Sequence, residues 1–595
     1  MRRRTLLKAL AGLPLVSLFA APARAAAAPS VRYVRPGEPG WPSPAEWAAL
    51  GQSVGGRLVP VVSPLIAARQ DPGSPATAEL FQNLLRDPFY IQQNAALTQT
   101  LGWIDAWTSQ PSVYAVLASS SADVAAAVNF AGRRQVRLVV KGAGHSYIGN
   151  SNAADSLLIW TRPNLQTVEL LDSFVPQGAG SQAEPQTAVN VGAGAIWIDA
   201  YNAVTTVGGR YVQGGGCTTV GVAGLVQGGG FGSLSKGFGT AGSNLLEAEI
   251  VTADGTVRVA NAFQNPDLFW ALKGGGGGTF GVVTRLTLLT HELPDYIGAV
   301  GATITAASDA AYQALVAQMI SFYAESLFNP HWGEQITFGA DLKRQITVAM
   351  VFQGLDSAQA GQTWAPFFDW VTARPDDYTL TTPSVGALPA QYFWDAAVYE
   401  EYDPAAIVPD DLPGAPAYYY YWESDAGEVG QVLHAYQSTW LSQQLLTPQG
   451  QPALADALVR ASQLWPVTWH CNKGLAGAPA DALRRTADTP MNPAVLDSFA
   501  LVIAGANEPP AYPGVAGHEP NVALGRLEAA AVAAAMVPLK ALGARPASYV
   551  NETDYFEQDW QTAFWGDNYA RLLAVKERYD PGGLFFVHHG VGTDT

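Results

Sequence analysis

Two nucleophilic side chains, one imidazole and one thiol, stand in glycine-rich segments of this chain, and either can form a bond to an electrophilic group. His145 lies in Lys141-Gly-Ala-Gly-His-Ser-Tyr-Ile-Gly149, directly after the apolar run Val136–Val140, which reads as a buried strand. Cys217 lies in Gly214-Gly-Gly-Cys-Thr-Thr-Val-Gly-Val-Ala-Gly-Leu-Val-Gln-Gly-Gly-Gly-Phe-Gly232, and residues 214–281 hold 19 of the 60 glycines. Without a Cβ, such runs let backbone N–H groups line a phosphate or a flat ring, although they would also serve as tight strand connections. A dinucleotide fingerprint needs strand, turn and helix with an acidic residue about 20 positions on, and no glycine here opens a helix in that register. Ser235-Lys236-Gly237 inverts the order of a phosphate loop. The eight histidines show no HExxH spacing and neither cysteine has a CxxC partner, so no metal site is expected; a single Cys217–Cys471 bridge stays open.

The 595 residues suffice for several cores, and a 48% apolar content excludes wholesale disorder. With 33 basic against 50 acidic residues, the net charge of −17 disfavours binding to nucleic acid or anionic lipid. The N-terminus reads as an export leader: Arg3-Arg4-Thr5-Leu6-Leu7-Lys8, an apolar stretch to Ala21, then Ala23-Arg24-Ala25. The arginine pair is of the twin-arginine type, which exports folded proteins and predicts a periplasmic or secreted product. Cleavage after residue 25 removes five cations and no anions, leaving −22. No other segment reads as a membrane span.

The elements around the two nucleophiles are short. Strands are expected at Tyr114–Ala118, Gln135–Val140, Ser156–Ile159, Thr187–Val191, Leu246–Thr252, Val257–Ala260 and Val282–Thr290, with a helix over Ser121–Arg133. Before them come a helix over Pro75–Leu84 and an extended Asp87–Gln93. Strands and helices mix without a regular repeat, so the class is α+β. Beyond residue 296, the runs Ala299–Thr305, Gln335–Ala340 and Gln345–Gln353, with a hairpin loop at Asp341-Leu-Lys, predict an antiparallel sheet. Helices are expected at Asp309–Leu327, Asp425–Leu446, Pro452–Ser462, Val522–Leu542 and Trp565–Tyr579.

Together with Asp267-Leu-Phe-Trp-Ala-Leu-Lys-Gly-Gly-Gly and Asn568-Tyr-Ala-Arg-Leu-Leu-Ala-Val-Lys-Glu-Arg-Tyr-Asp-Pro581, the two loops make the chain resemble berberine-bridge-enzyme-like FAD-linked oxidases of the vanillyl-alcohol-oxidase superfamily. The resemblance implies a bipartite FAD-binding domain of the vanillyl-alcohol-oxidase type with an inserted substrate domain of antiparallel sheet plus helices. Its boundaries fall at 1–25 for the leader, 26–104 for an N-terminal extension packing on the FAD domain and 105–290 for the first FAD-binding part. The substrate domain takes 291–517 and the C-terminal FAD-binding part 518–595. It implies FAD bonded twice, through His145 and Cys217, the second bond excluding a disulfide. Gly142, Gly144, Ser146, Gly149, Thr218, Val220, Gly221, Gly224, Gly228, Gly229, Gly230, Gly232, Val282, Asn568 and Tyr569 would surround it.

By the same resemblance, the enzyme takes a hydride from a small-molecule CH–OH group and passes electrons to oxygen, releasing hydrogen peroxide. Oxidative ring closure, desaturation and a dehydrogenase with another acceptor remain open. The relatives' catalytic tyrosine position is Glu552 here, making Glu552 the first choice of base, followed by Tyr549 and Tyr555; other members place a glutamate on the substrate sheet. Val220 is small enough to admit oxygen. Leu225 stands where carbohydrate-oxidising members have histidine. The aromatic runs Tyr418–Trp422, Tyr392–Trp394 and Trp465–Trp469 read as core or as a pocket wall, and His470 with Lys473 as sheet-to-loop turn residues or as a pocket pair.

Overall fold

The computed structural model describes residues 33–340 and 343–593; the leader over 1–25 and Asp341 and Leu342 of the expected hairpin loop lie outside them. Three sheets carry the architecture. The first places Leu58–Pro60, Tyr114–Leu117, Ser156–Trp160 and Arg137–Lys141 side by side, the last three parallel. Its crossover helix Ser121–Arg134 starts at Ser120, whose hydroxyl accepts from the Asp123 amide. The helix closes on Gln135 in the left-handed conformation, with Arg133 and Arg134 at the negative end of its dipole. That turn feeds Arg137–Lys141 and so aims the His145 loop.

The second sheet runs Val257–Asn261, Leu245–Val251, Val282–Glu292, Gln186–Gly192, Val168–Phe174, all antiparallel, with Arg210–Val212 paired to the end of Val282–Glu292. The third has nine strands: Tyr378–Pro389, Tyr296–Ala306, Gln345–Gln353, Trp332–Phe338, Val467–His470, Ser498–Glu508, Gln431–Ser442, Thr100–Trp103 and Trp107–Thr108. Only the Gln431–Ser442/Thr100–Trp103 pair is parallel. Trp332–Phe338 and Gln345–Gln353 form the expected hairpin, with Phe338 opposite Ile346. One face of this sheet carries the helices Asp309–Phe322, Gln451–Ser462 and Val522–Lys540 on a core that includes Trp332, Trp364 and Trp469.

Three local expectations are corrected. Asp87–Gln93 is a short helix, Pro88–Gln92, because the Asp87 carboxylate accepts from the Phe89 amide and proline occupies the first turn. Asp425–Leu446 is a turn followed by the strand Gln431–Ser442; its buried residues lie on both faces, which erases the alternation that identifies a strand. The C-terminal helix begins at Tyr569, after a separate Trp560–Trp565. Moreover, Val522–Lys540 is by length and composition long and apolar enough to cross a membrane, contrary to the expectation that no such segment follows the leader. Its Val532, Ala535, Met536 and Leu539 are buried against the nine-stranded sheet and the helix Gln451–Ser462.

Candidate active site

The His145 loop is held from below by Lys141. This buried lysine donates to the carbonyls of Asn94 (2.9 Å), Ala95 (2.7 Å) and Leu97 (3.0 Å), and its desolvation lowers its pKa to about 7. The chain then turns through Gly144 at φ +83°, a conformation glycine adopts without strain, which brings His145 over the Cys217 segment. The imidazole hydrogen-bonds the backbone of Thr219, two residues past Cys217, and burial lowers its pKa to about 4. Its Nε2 is buried without a partner. A Cβ added to Gly221 would lie 3.3 Å from the Ala143 amide, so the two loops are in contact.

Cys217 sits in a loop folded back on itself: a Cβ on Gly232 would overlap the Gly214 carbonyl oxygen, at 1.6 Å. The hairpin Ile407–Pro409/Tyr420–Trp422 clamps it from outside. Thr218 Oγ1 donates to the Tyr420 carbonyl at 2.6 Å, and Trp422 Nε1 donates to the Gly216 carbonyl at 3.1 Å. Both cysteines are free, and Cys471 is in the core near Tyr323, where burial pushes its thiol up to about 12.

His145 and Cys217 line one cavity of about 360 Å³. Of the residues named from the sequence, Gly142, Gly144, Ser146, Val220, Gly221, Gly224, Gly232, Tyr549 and Glu552 line it. Other expected residues fall outside its lining. Val282 points into the core beneath the first sheet, and its neighbour Val283 takes the lining position, because successive strand residues face opposite ways. Thr218 is turned to Tyr420, and Gly149 packs on the Trp107 ring. Gly228, Gly229 and Gly230 lie behind the site: Cβ atoms there would strike Asn551, Met491 and Leu225. Asn568 Nδ2 donates to the Met491 carbonyl (3.0 Å), and Tyr569 stacks on Trp565, which itself lines the cavity. Tyr555 is one layer back, stacked 3.7 Å from the His588 ring that reaches the cavity.

The nine-stranded sheet supplies the opposite wall through Glu334, Tyr436 and His470, followed by Asn472 and Lys473. Lys473 Nζ contacts both Glu552 carboxylate oxygens, at 2.6 and 2.7 Å. The Tyr549 hydroxyl accepts from the Gly230 amide (3.1 Å) and Asn551 Nδ2 (2.9 Å), and burial raises its pKa, holding it as a neutral phenol. Burial also raises the pKa of Glu334, which stands at φ +63° in its strand near Gly216. Asp425 and Glu428 approach from the turn after the clamping hairpin. Composition and spacing did not single out Glu334, Asp425 or Glu428. None of the aromatic runs lines the cavity: Trp394 stacks on Tyr201 at 4.1 Å and Trp469 packs on Phe338 and Phe499 in the core, whereas Tyr392 is exposed.

Residues 112–261 match the FAD binding domain family, and residues 548–592 match the berberine and berberine-like family. Among curated relatives, the VAO-type flavoprotein oxidase VAO615 of Thermothelomyces thermophilus is 30% identical, the alignment covering 95% of this chain and 93% of that one. The crystal structure of VAO-type flavoprotein MtVAO615 from Myceliophthora thermophila C1 superposes with a TM-score of 0.74 at 26% identity, covering 94% and 97% of the two chains. A glucooligosaccharide oxidase from Acremonium strictum, described with a 6-S-cysteinyl, 8α-N1-histidyl FAD, shares the fold at TM-score 0.58 and 21% identity, covering 81% and 92%. The cavity fits FAD: His145 offers an unpartnered buried nitrogen, Cys217 a free thiol, and Gly224 a face with no atom within 4 Å of where a Cβ would stand. Sequence and fold agree that the chain belongs to the VAO-type flavoproteins with a berberine-bridge-like C-terminal segment, and it is an FAD-linked oxidoreductase.

Proposed function

We propose that the protein oxidises a small molecule at a CH–OH carbon with FAD held through both His145 and Cys217, and that dioxygen takes the electrons and leaves as hydrogen peroxide. The observation that carries this reading is the convergence of the two nucleophiles on one cavity that the paired Glu552 and Lys473 also line. The doubly linked flavin described for the glucooligosaccharide oxidase supports it. Bound FAD would supply the acceptor for two electrons from the substrate C–H bond.

The chain's own residues handle the proton. Glu552, as a carboxylate, accepts it from the substrate hydroxyl, and Lys473 orients both oxygens while balancing the charge. Glu334, whose pKa burial raises, faces the substrate from the sheet side. Tyr549 holds Gly230 and Asn551 in place and stays protonated. Val220 leaves room for dioxygen at the cavity wall. The Arg3-Arg4 leader supports export of the folded, loaded protein to the periplasm or beyond.

The test is a panel of alcohols, sugars and phenols given to purified holoprotein in air, with peroxide read by a coupled peroxidase. Peroxide released in step with one of the alcohols is expected. Anaerobic bleaching of the flavin without peroxide in air would overturn the acceptor assignment, and a colourless acid-denatured precipitate would overturn covalent attachment.

A further inference from the structure

The segment that clamps the Cys217 loop also delivers a carboxylate to it. Tyr420 and Trp422 hydrogen-bond the residues on either side of Cys217, at 2.6 Å to Thr218 and 3.1 Å to Gly216. Three residues further on, in the turn Glu423–Glu428, Asp425 hydrogen-bonds the Cys217 side chain while its Oδ2 stays buried without a partner. Both side chains face the cavity. We propose that Asp425 is the base that activates Cys217 for its attachment to flavin C6.

A half-buried thiol flanked by carboxylates needs such help. Burial, reinforced by the neighbouring Asp425 charge, raises the pKa of Cys217 well above that of a free thiol, so the side chain alone presents almost no nucleophilic thiolate at neutral pH. Burial and the adjacent Glu428 raise Asp425 to about 7, which matches a general base to a neutral environment. Glu334, from the sheet, is the remaining carboxylate that acts on both groups, raising the pKa of each. Proton transfer to a carboxylate already in contact is the route left to the thiol.

In the net step the S–H bond breaks toward Asp425, an S–C6 bond forms, and the C6 hydrogen leaves as a proton to solvent. The two electrons released pass through the ring to dioxygen, which takes up two protons and departs as hydrogen peroxide. The cofactor ends oxidised, one thioether richer.

This inference rests on the double attachment proposed above, and the experiment separates the two. Wild-type and Asp425→Asn holoproteins are purified at pH 7 and digested, and the Cys217 and His145 peptides are weighed for attached flavin. Wild type carrying flavin on both peptides, with Asp425→Asn carrying it on His145 alone, is the expected result. Raising the pH of the singly linked variant in air then forms the thioether slowly, the rate climbing about tenfold per pH unit as hydroxide replaces the missing base. Asp425→Ser, which changes volume in the opposite sense, guards against a folding defect in either variant, since flavin on His145 reports a folded site. Full Cys217 attachment in either flavin-bearing variant overturns the role of Asp425, as does failure of both to retain any flavin. A wild-type Cys217 peptide free of flavin overturns the double attachment itself.

Discussion

Lys473 Nζ sits 2.6 Å and 2.7 Å from the two carboxylate oxygens of Glu552, which joins the nine-stranded sheet to the C-terminal segment across the cavity. The Ser438 hydroxyl donates to the Glu552 carbonyl, so the residue is fixed at both ends. A base must be held within reach of its proton and must not drift, and the contact with Lys473 would hold Glu552 so in the proposed role.

Glu552→Gln preserves the side-chain shape, removes the proton acceptor and leaves the ammonium of Lys473 facing an amide. Flavin reduction at saturating substrate, followed anaerobically by stopped flow, should slow by about 10²-fold or more. Lys473→Met should slow it less, because the carboxylate survives but loses its fixed orientation. Unchanged reduction in Glu552→Gln would remove this residue from the proton-transfer role.

The two proposed attachment points can be tested one at a time. His145→Ala and Cys217→Ser should each leave yellow colour in the acid-precipitated protein, since the other link remains, and the double variant should release all of it to the supernatant. The single variants should also differ in visible spectrum, because one bears sulfur on the ring and the other does not. Colour lost from one single variant alone would reduce the attachment to a single bond.

Much of this site was legible in the chain because its loops announce themselves: a nucleophile inside a run of glycines leaves few structural uses. The parts that were not legible depend on parity and turns. Val282 and Val283 are indistinguishable by type, and only the register opposite Leu245–Val251 decides which one faces the cavity. Asp425 was hidden because Gln431–Ser442 is buried on both faces and passes for a helix, dissolving the turn that presents the carboxylate. Glu334 owes its orientation to a left-handed residue within a strand, which no spacing rule anticipates. Tyr555, three residues past Glu552, is carried behind His588 by the turn Tyr549–Glu552, which no spacing along the chain displays.

Lys236 shows how the glycine block is fastened to the opposite wall. Its buried Nζ donates to the carbonyls of Gly474 (2.6 Å), Ala476 (2.9 Å) and Phe499 (3.1 Å), next to the loop that carries Lys473. Lys236→Met keeps the stem and takes this donor from three carbonyls, leaving that of Phe499 only the Tyr323 hydroxyl at 3.5 Å, so a loss of about 3 kcal/mol is expected in denaturant unfolding. Because the loop then loosens, KM should rise more than kcat falls. A variant as stable as wild type would show that these contacts are not what ties the two walls together.

His434 gives the fold a pH dependence that is independent of the cavity. Its fully buried ring lies 2.7 Å from Glu528 on the helix Val522–Lys540 and 3.4 Å from Glu508 on the neighbouring strand. Although burial opposes the charge, hydrogen bonds and Coulomb attraction to the two carboxylates outweigh it, and the pKa in the folded protein is raised above 6.5. The imidazolium is thus favoured more in the folded chain than in the unfolded one. Its stabilisation is complete below the unfolded value of about 6.5 and is lost as pH rises through the higher folded value. His434→Gln should therefore melt below wild type by about 2 °C or more at pH 5.5, with the gap shrinking steadily toward pH 9. Thermal unfolding of both proteins across that range measures it, and a gap that stays constant or widens with pH would show that the ring is neutral in the folded state.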